Sequence, residues 1–208
     1  MIMSKSIVIN REYGSGGRII GEMISKKLNM PFFDTNILTE VVKKKGFRPD
    51  VLATFDERIV GSVLYNLSLM ASYDPLTVNL PYEMYEAISD TIVASAQTED
   101  CIFIGRCANK ILEEAKIPFL SVFIYESDME KRKERAIHSY GIPEENAEAY
   151  IKKKDKMRKA YQQFFTHTKF DDYREYDLCL DSGKLGEEIC AELIIKALHP
   201  EEKKQYFV

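Results

Sequence analysis

Metal-binding signatures are missing from this 208-residue chain. Its four cysteines, Cys101, Cys107, Cys179 and Cys190, form no C-x-x-C pair. Its three histidines, His138, His167 and His199, stand apart, with no H-E-x-x-H and no carboxylate cluster around them. A transition-metal site needs ligands at closer and more regular spacing, so no protein-held metal is expected. Cys101 and Cys179 fall in apolar strand-like runs and Cys190 on a helix, which predicts buried free thiols. No apolar run reaches the length that spans a bilayer, and Met1-Ile2-Met3-Ser4-Lys5 lacks a signal-peptide layout. A cytoplasmic protein without membrane partners is expected. Repeats and low-complexity tracts are lacking too. So is any bulk positive charge: the net charge is −4, with 30% of residues charged. That balance argues against a nucleic-acid partner and predicts that positive charge is local to a site.

What is present begins with Ser6-Ile7-Val8-Ile9-Asn10, a short β-branched apolar run. It enters Arg11-Glu12-Tyr13-Gly14-Ser15-Gly16-Gly17-Arg18, and Ile20, Met23, Ile24 and Leu28 then recur at helical spacing. A strand, a glycine-rich loop and a helix N-terminus together make an anion site. The glycines let backbone N–H groups converge, and the open donors of the first helical turn carry partial positive charge. Phosphate is the natural ligand, although a plain flexible turn would also read Gly-Ser-Gly-Gly. Neither textual fingerprint is complete. The dinucleotide pattern G-x-G-x-x-G fits Gly14 and Gly16 but meets Ile19 in place of its third glycine. Aligned on Gly16, the pattern G-x-x-x-x-G-K-S/T meets Arg11, Gly17 and Arg18 at its first glycine, its lysine and its hydroxyl.

With 45% hydrophobic residues, the chain can bury one good core. Phe32-Phe33-Asp34 reads as a short strand, with Asp34-Thr35 able to cap a helix over 37–42. Residues 43–100 carry two amphipathic stretches, one over 56–70 and one opening at Pro81 with Met84, Ile88, Ile92, Val93 and Ala96 on one face. Tyr82, Met84 and Tyr85 fit either helical core packing or contact with a base. Cys101-Ile102-Phe103-Ile104-Gly105 is a continuous apolar run, as expected of a strand buried on both faces of a parallel sheet. It ends in Arg106, where open α/β sheets bind ligands, and a guanidinium there can bridge phosphates. Residues 119–125 and 177–181 read as two further strands. Between them, Ser127-Asp128 caps a helix bearing Arg132 and Arg135, and Gly141-Ile142-Pro143 restarts a long helix running to Phe165. Residues 152–159 hold six cations among eight residues, an anion-attracting patch in an acidic chain. Leu185 to Leu198 reads as a terminal helix that stops at Pro200. Strands alternating with helices predict an α/β fold with a parallel sheet of about five strands and helices on both faces.

The run Arg11 to Gly21 resembles the signature of the cytidylate-kinase-like family, within the P-loop nucleoside-monophosphate kinases. The resemblance extends to Asp34-Thr35, to Gly105-Arg106, to the helix of Arg132 and Arg135, to Asp155, Arg158 and Tyr161, and to the Leu180-Asp181-Ser182 end. It implies a single P-loop kinase domain: a core of residues 1–42, 101–135 and 166–208, a helical acceptor-side insertion over 43–100, and a helical lid over 136–165. It further implies that Tyr13, Gly14, Ser15, Gly16, Gly17, Arg18 and Ile19, with Arg132 and Arg135, hold ATP carrying its own Mg²⁺. Asp34, Thr35, Arg106, Asp155 and Arg158 would line the acceptor site, and Arg18, Arg106 and Arg158 would neutralise the transferring phosphoryl group. For Arg132 and Arg135 a solvated helix face is the other reading.

The departures from the family pattern are specific. Gly17 replaces the loop lysine, Ile19 the magnesium-binding hydroxyl, and Ile104 and Cys107 two aspartates; Glu40 falls where an arginine is usual. Arg18 is the expected replacement cation. The implied activity is γ-phosphoryl transfer from ATP to a nucleoside monophosphate, CMP or dCMP foremost. A nucleotide-binding module with little turnover and a kinase for a non-nucleotide alcohol are the alternatives.

Overall fold

The apolar runs read from the sequence become strands of one parallel sheet. A computed structural model of the chain describes residues 5–34 and 75–198. The strands are β1 (Ser6–Arg11), β2 (Phe32–Phe33), β3 (Ile102–Ile104), β4 (Phe119–Tyr125) and β5 (Leu178–Asp181), in the order β2-β3-β1-β4-β5. Every pairing is parallel, with Ile9 of β1 opposite Ile104 of β3 and Val122 of β4. Parallel neighbours need crossover connections, and the described ones are helical: α1 (Gly17–Leu28), α2 (Pro75–Thr98), α3 (Ala108–Glu114), α4 (Met129–Tyr140) and α5 (Ala147–Thr166). Beyond β5 come the single turn α6 (Ser182–Leu185) and α7 (Glu187–Leu198).

Each strand run reads as continuously apolar because both faces of the sheet are covered. Ile7, Ile9, Ile102, Ile104, Val122 and Ile124 pack against α1 and α7 through Ile20, Ile24 and Ile194. Val8 and Phe103 face the other way, onto Met84, Ile88 and Ile92 of α2, Leu112 of α3 and Tyr161 of α5. At about 25 cal/mol per Å² of buried apolar surface, these two layers are the main source of stability. Of the tyrosine–methionine stripe, Met84 joins this core and Tyr85 stacks on Phe165 with ring centroids 4.4 Å apart. No described helix is long and apolar enough to cross a membrane.

Four local expectations are corrected. Pro81 does not open its helix; it lies inside α2, which starts at Pro75, where a proline needs no N–H donor. The terminal helix is split, because Gly186 at φ +79° interrupts it between α6 and α7. A 3₁₀ turn, Glu144–Asn146, precedes α5 in place of a continuous helix. Cys179 is exposed, not buried, because β5 is an edge strand with one neighbour, whereas the other three thiols are buried. Thr35, Glu40, His199, Pro200 and the helices expected over 37–42 and 56–70 lie outside the described residues.

Candidate functional site

β1 delivers its last residue, Arg11, to the middle of the sheet's carboxyl edge, and the chain turns there through Glu12–Gly16 into α1. The Ser15 amide and hydroxyl both donate to the Glu12 carbonyl, at 3.4 and 2.9 Å. Gly14 and Gly16 sit at φ +82° and +76°, a left-handed backbone that costs glycine little and side-chain-bearing residues more. Gly16 caps α1 with no side-chain hydrogen bond to the helix end, which leaves first-turn amides without a side-chain cap.

Three successive loop carbonyls are gripped from outside the loop. Arg132 Nε donates to the Tyr13 carbonyl at 2.8 Å, Arg135 to the Gly14 carbonyl, and Ser182 Oγ to the Ser15 carbonyl at 2.7 Å. Arg132 also pairs with Asp155 and with Glu12, the latter at 3.3 Å, and Arg135 pairs with Glu187. Arg132 is 5% exposed, so the solvated-face reading fails for it. Its position follows from Asp128, whose side chain accepts from the Glu130 amide at 2.9 Å and starts α4 beside the loop. Burial raises the Glu12 carboxyl above its ordinary range, while the neighbouring Arg132 pulls it back down.

Helix α5 meets the loop through two residues read from the sequence. Asp155 Oδ1 accepts from the Tyr13 amide at 2.7 Å, and Arg158 Nη1 donates to the Arg11 carbonyl at 2.8 Å. The Arg158 guanidinium also lies 5.4 Å from the Tyr13 ring centre. That ring packs edge-on against Tyr140 and Tyr150, at 5.3 and 5.4 Å, and burial raises its phenol above the ordinary value.

At the end of β3, Arg106 is 8% exposed and faces the Tyr161 ring at 5.2 Å. Its φ is +56°, a conformation that costs a non-glycine residue about 1 kcal/mol or more and that collects at functional sites. Arg106 and Arg158 line one narrow cleft with Arg11, Asn10, Tyr161 and Gln162. Arg18 is not among the residues lining it. The Arg18 side chain is half exposed and pairs with Asp34 at 2.9 Å and Glu22 at 2.7 Å, which puts Asp34 beside α1. Gly17 is buried, Ile19 half-buried, and Thr35 lies outside the described residues. Among the described residues no group of His, Cys, Asp or Glu is arranged to hold a metal ion.

Sequence reasoning missed three members of this arrangement. Arg11 and Glu12 enter the sequence reading only as part of the family signature, Arg11 also as a departure from the phosphate-loop pattern, and Ser182 only within the Leu180-Asp181-Ser182 end; none is given a role in the site. The anchoring of Ser15 by Ser182 spans 167 positions and has no local trace.

Comparison with known proteins bears on the same features. A solved structure of an uncharacterized protein from Eubacterium ventriosum is 26% identical, covering 94% of this chain and 98% of its own, with a TM-score of 0.70. A shikimate kinase from Acinetobacter baumannii, solved with shikimate, is 12% identical over 98% of this chain and 97% of its own, at a TM-score of 0.55. A gluconokinase from Sinorhizobium meliloti is 19% identical over 100% of both chains, at 0.52. Their likeness shows the P-loop kinase fold. No curated protein sequence gives a significant match. A family model described as cytidylate kinase-like matches residues 6–184, from β1 through the glycine-rich loop to α6, and the chain accordingly belongs to the cytidylate kinase-like family.

Proposed function

We propose that the protein is a cytoplasmic phosphotransferase that moves the γ-phosphoryl group of ATP to a nucleoside monophosphate, CMP or dCMP foremost. The observation carrying this reading is the single cleft lined by Arg11, Arg106 and Arg158 beside the amide-rich turn at the carboxyl edge of the sheet. The turn suits a triphosphate, because Gly14 and Gly16 let its amides converge and Gly16 leaves the end of α1 without a side-chain cap. Mg²⁺ arriving with the nucleotide would neutralise charge on the phosphate oxygens; the side chain of residue 19, an isoleucine, would offer it no oxygen.

In-line transfer needs little from the protein beyond alignment and charge compensation. The acceptor's phosphate oxygen forms its bond to the γ-phosphorus as the bond to the leaving oxygen breaks, and the electron pair departs on ADP. The cleft arginines stabilise the charge on the equatorial oxygens, and no covalent protein intermediate forms. Residues 43–100 would hold the acceptor, and residues 136–165 would act as the lid that excludes water. Small nucleotides are its partners, and neither nucleic acid nor membrane is involved.

The test follows ADP with ATP, Mg²⁺ and, separately, CMP, dCMP, UMP, AMP and GMP. ADP formation that depends on CMP or dCMP is expected, and its absence with every acceptor refutes the reading. A nucleotide-binding module without turnover is the second reading. It is favoured by Ile19 and by Asp155, whose carboxylate takes the Tyr13 amide that an anion would otherwise use. Tight ATP binding with no ADP from any mixture would select it.

A further inference from the structure

The phosphate-loop pattern has glycine first and lysine seventh; this chain has Arg11 first and Gly17 seventh. The two departures are one event in space. A Cβ built on Gly17 would stand 2.6 Å from Arg11 Cβ and 3.1 Å from its Cγ, closer than such atoms approach. Positions 11 and 17 therefore compete for one volume, and only one of them can carry a side chain. Here Arg11 has it.

The far end of Arg11 is fixed by a second glycine. A Cβ on Gly105 would stand 2.2 Å from Arg11 Nη1 and 3.3 Å from Cζ. The arginine stem thus runs from beneath the start of α1 to the turn that presents Arg106. Its own carbonyl accepts from Arg158 Nη1 at 2.8 Å, and Arg11, Arg106 and Arg158 line one cleft. Arg18, by contrast, reaches Asp34 and Glu22.

We propose that Arg11 is the catalytic cation of this loop: the positive charge has moved from the seventh position of the pattern to the first, and Gly17 is a glycine to make room for it. Arg11 contacts the transferring phosphoryl group from the acceptor side of the loop. The guanidinium donates hydrogen bonds to its equatorial oxygens and transfers no proton. The oxygen–phosphorus bond forms and breaks as stated above, so nothing further is consumed. This assignment rests on the phosphotransfer reading.

The test uses the full chain and four variants, Arg11→Met, Arg11→Gln, Arg11→Gly and the exchange variant Arg11→Gly/Gly17→Lys. Melting temperature, acceptor-dependent ADP formation, and binding of ATP and inorganic triphosphate by calorimetry are measured for each. Arg11→Met keeps the stem and is expected to lose about 100-fold or more in turnover, as loss of one preorganised donor does. The exchange variant is expected to recover at least about tenfold over Arg11→Gly, because it restores the cation at the other end of the shared volume. Should Arg11→Met melt early, the polar Arg11→Gln carries the same expectation. Turnover within about threefold of the native chain in a folded Met or Gln variant, or an exchange variant no better than Arg11→Gly, overturns the assignment. Should the native chain form no ADP, the phosphotransfer reading fails separately. The role of Arg11 is then decided by triphosphate affinity, which Arg11→Met must weaken at least about tenfold.

Discussion

Replacing Arg132 with methionine is the most informative single change outside the cleft. The Arg132 side chain is 6% exposed and holds Glu12 at 3.3 Å, Asp155, and the Tyr13 carbonyl at 2.8 Å. Methionine fills the volume of the stem, so the loss is electrostatic rather than a cavity. Removing one partner of a buried pair costs about 3–5 kcal/mol, because the remaining charge is left uncompensated. Here Glu12 is 28% exposed, so water reaches part of it and the lower end, about 3 kcal/mol, is expected at pH 8. With a urea slope of about 2 kcal/mol/M, the midpoint of unfolding moves down by about 1.5 M.

The pH dependence of that loss separates charge from packing. Burial already raises the Glu12 carboxyl above its ordinary 4.5, and Arg132 opposes the rise. Without Arg132 the folded-state value climbs further. An acid raised in the folded state is penalised only when ionised, so the variant's deficit is full well above the raised value. It shrinks as pH falls through that value toward 4.5, and well below 4.5 Glu12 is protonated in the folded and unfolded states alike. Urea unfolding of both proteins at pH 8 and near pH 4.5 is the assay, and adding Glu12→Gln should return part of the loss at pH 8. A deficit below about 1 kcal/mol, or one equal at the two pH values, refutes the reasoning.

Three other expectations are independent of it. Gly183→Ala should destabilise by about 1–3 kcal/mol in a thermal melt, since the added Cβ would stand 1.6 Å from Oε1 of Glu126, itself 3% exposed. A disulfide-exchange reagent at pH 8 should label Cys179 in the folded chain and the other three thiols only after denaturation, and Cys179→Ser should remove the fast phase. Burial pushes Cys101 and Cys190 up to about 11 and Cys107 up to about 12. Less thiolate is therefore present at any given pH, and above the ordinary value of 9 rising pH favours the unfolded chain. Arg106→Met should reduce acceptor-dependent ADP formation about 100-fold under conditions where the variant is still folded, with Arg106→Lys between the two because it keeps charge but loses the fork.

The parallel sheet was legible because its strands are buried on both faces and so read as unbroken apolar runs. The loop was legible because glycines at a strand exit leave few alternatives. Arg106 was legible at the exit of β3, where the fold places ligands, and Arg158, midway along α5, through resemblance. The burial of Arg132 was not. Arginines three apart on a helix look alike from sequence whether they face solvent or a loop 119 positions away, and the bond to Tyr13 decides which. Cys179 misled for the opposite reason: an apolar run does not say whether its strand is central or at an edge. The place of Arg11 in the cleft was hidden by the pattern itself, since a mismatch marks what is missing without saying what stands in its space.

Apart from Arg18, which pairs with Glu22 and Asp34, five arginines around the loop divide into two sets. Arg132 and Arg135 bind the carbonyls of Tyr13 and Gly14, and Glu12, Asp155 and Glu187 balance their charge. Ser182 continues that row on the Ser15 carbonyl. A trans peptide sets each carbonyl opposite the N–H of the next residue, so holding these carbonyls on one side turns the Gly14 and Gly16 amides to the other. The intervening Ser15 amide is turned back onto Glu12. One set of arginines thereby orients the donors, while Arg11, Arg106 and Arg158 line the cleft alongside. On the phosphotransfer reading proposed above, the first set would serve the geometry of the loop and the second the phosphate. A loop without the pattern's lysine would then still present fixed amides and positive charge to that anion.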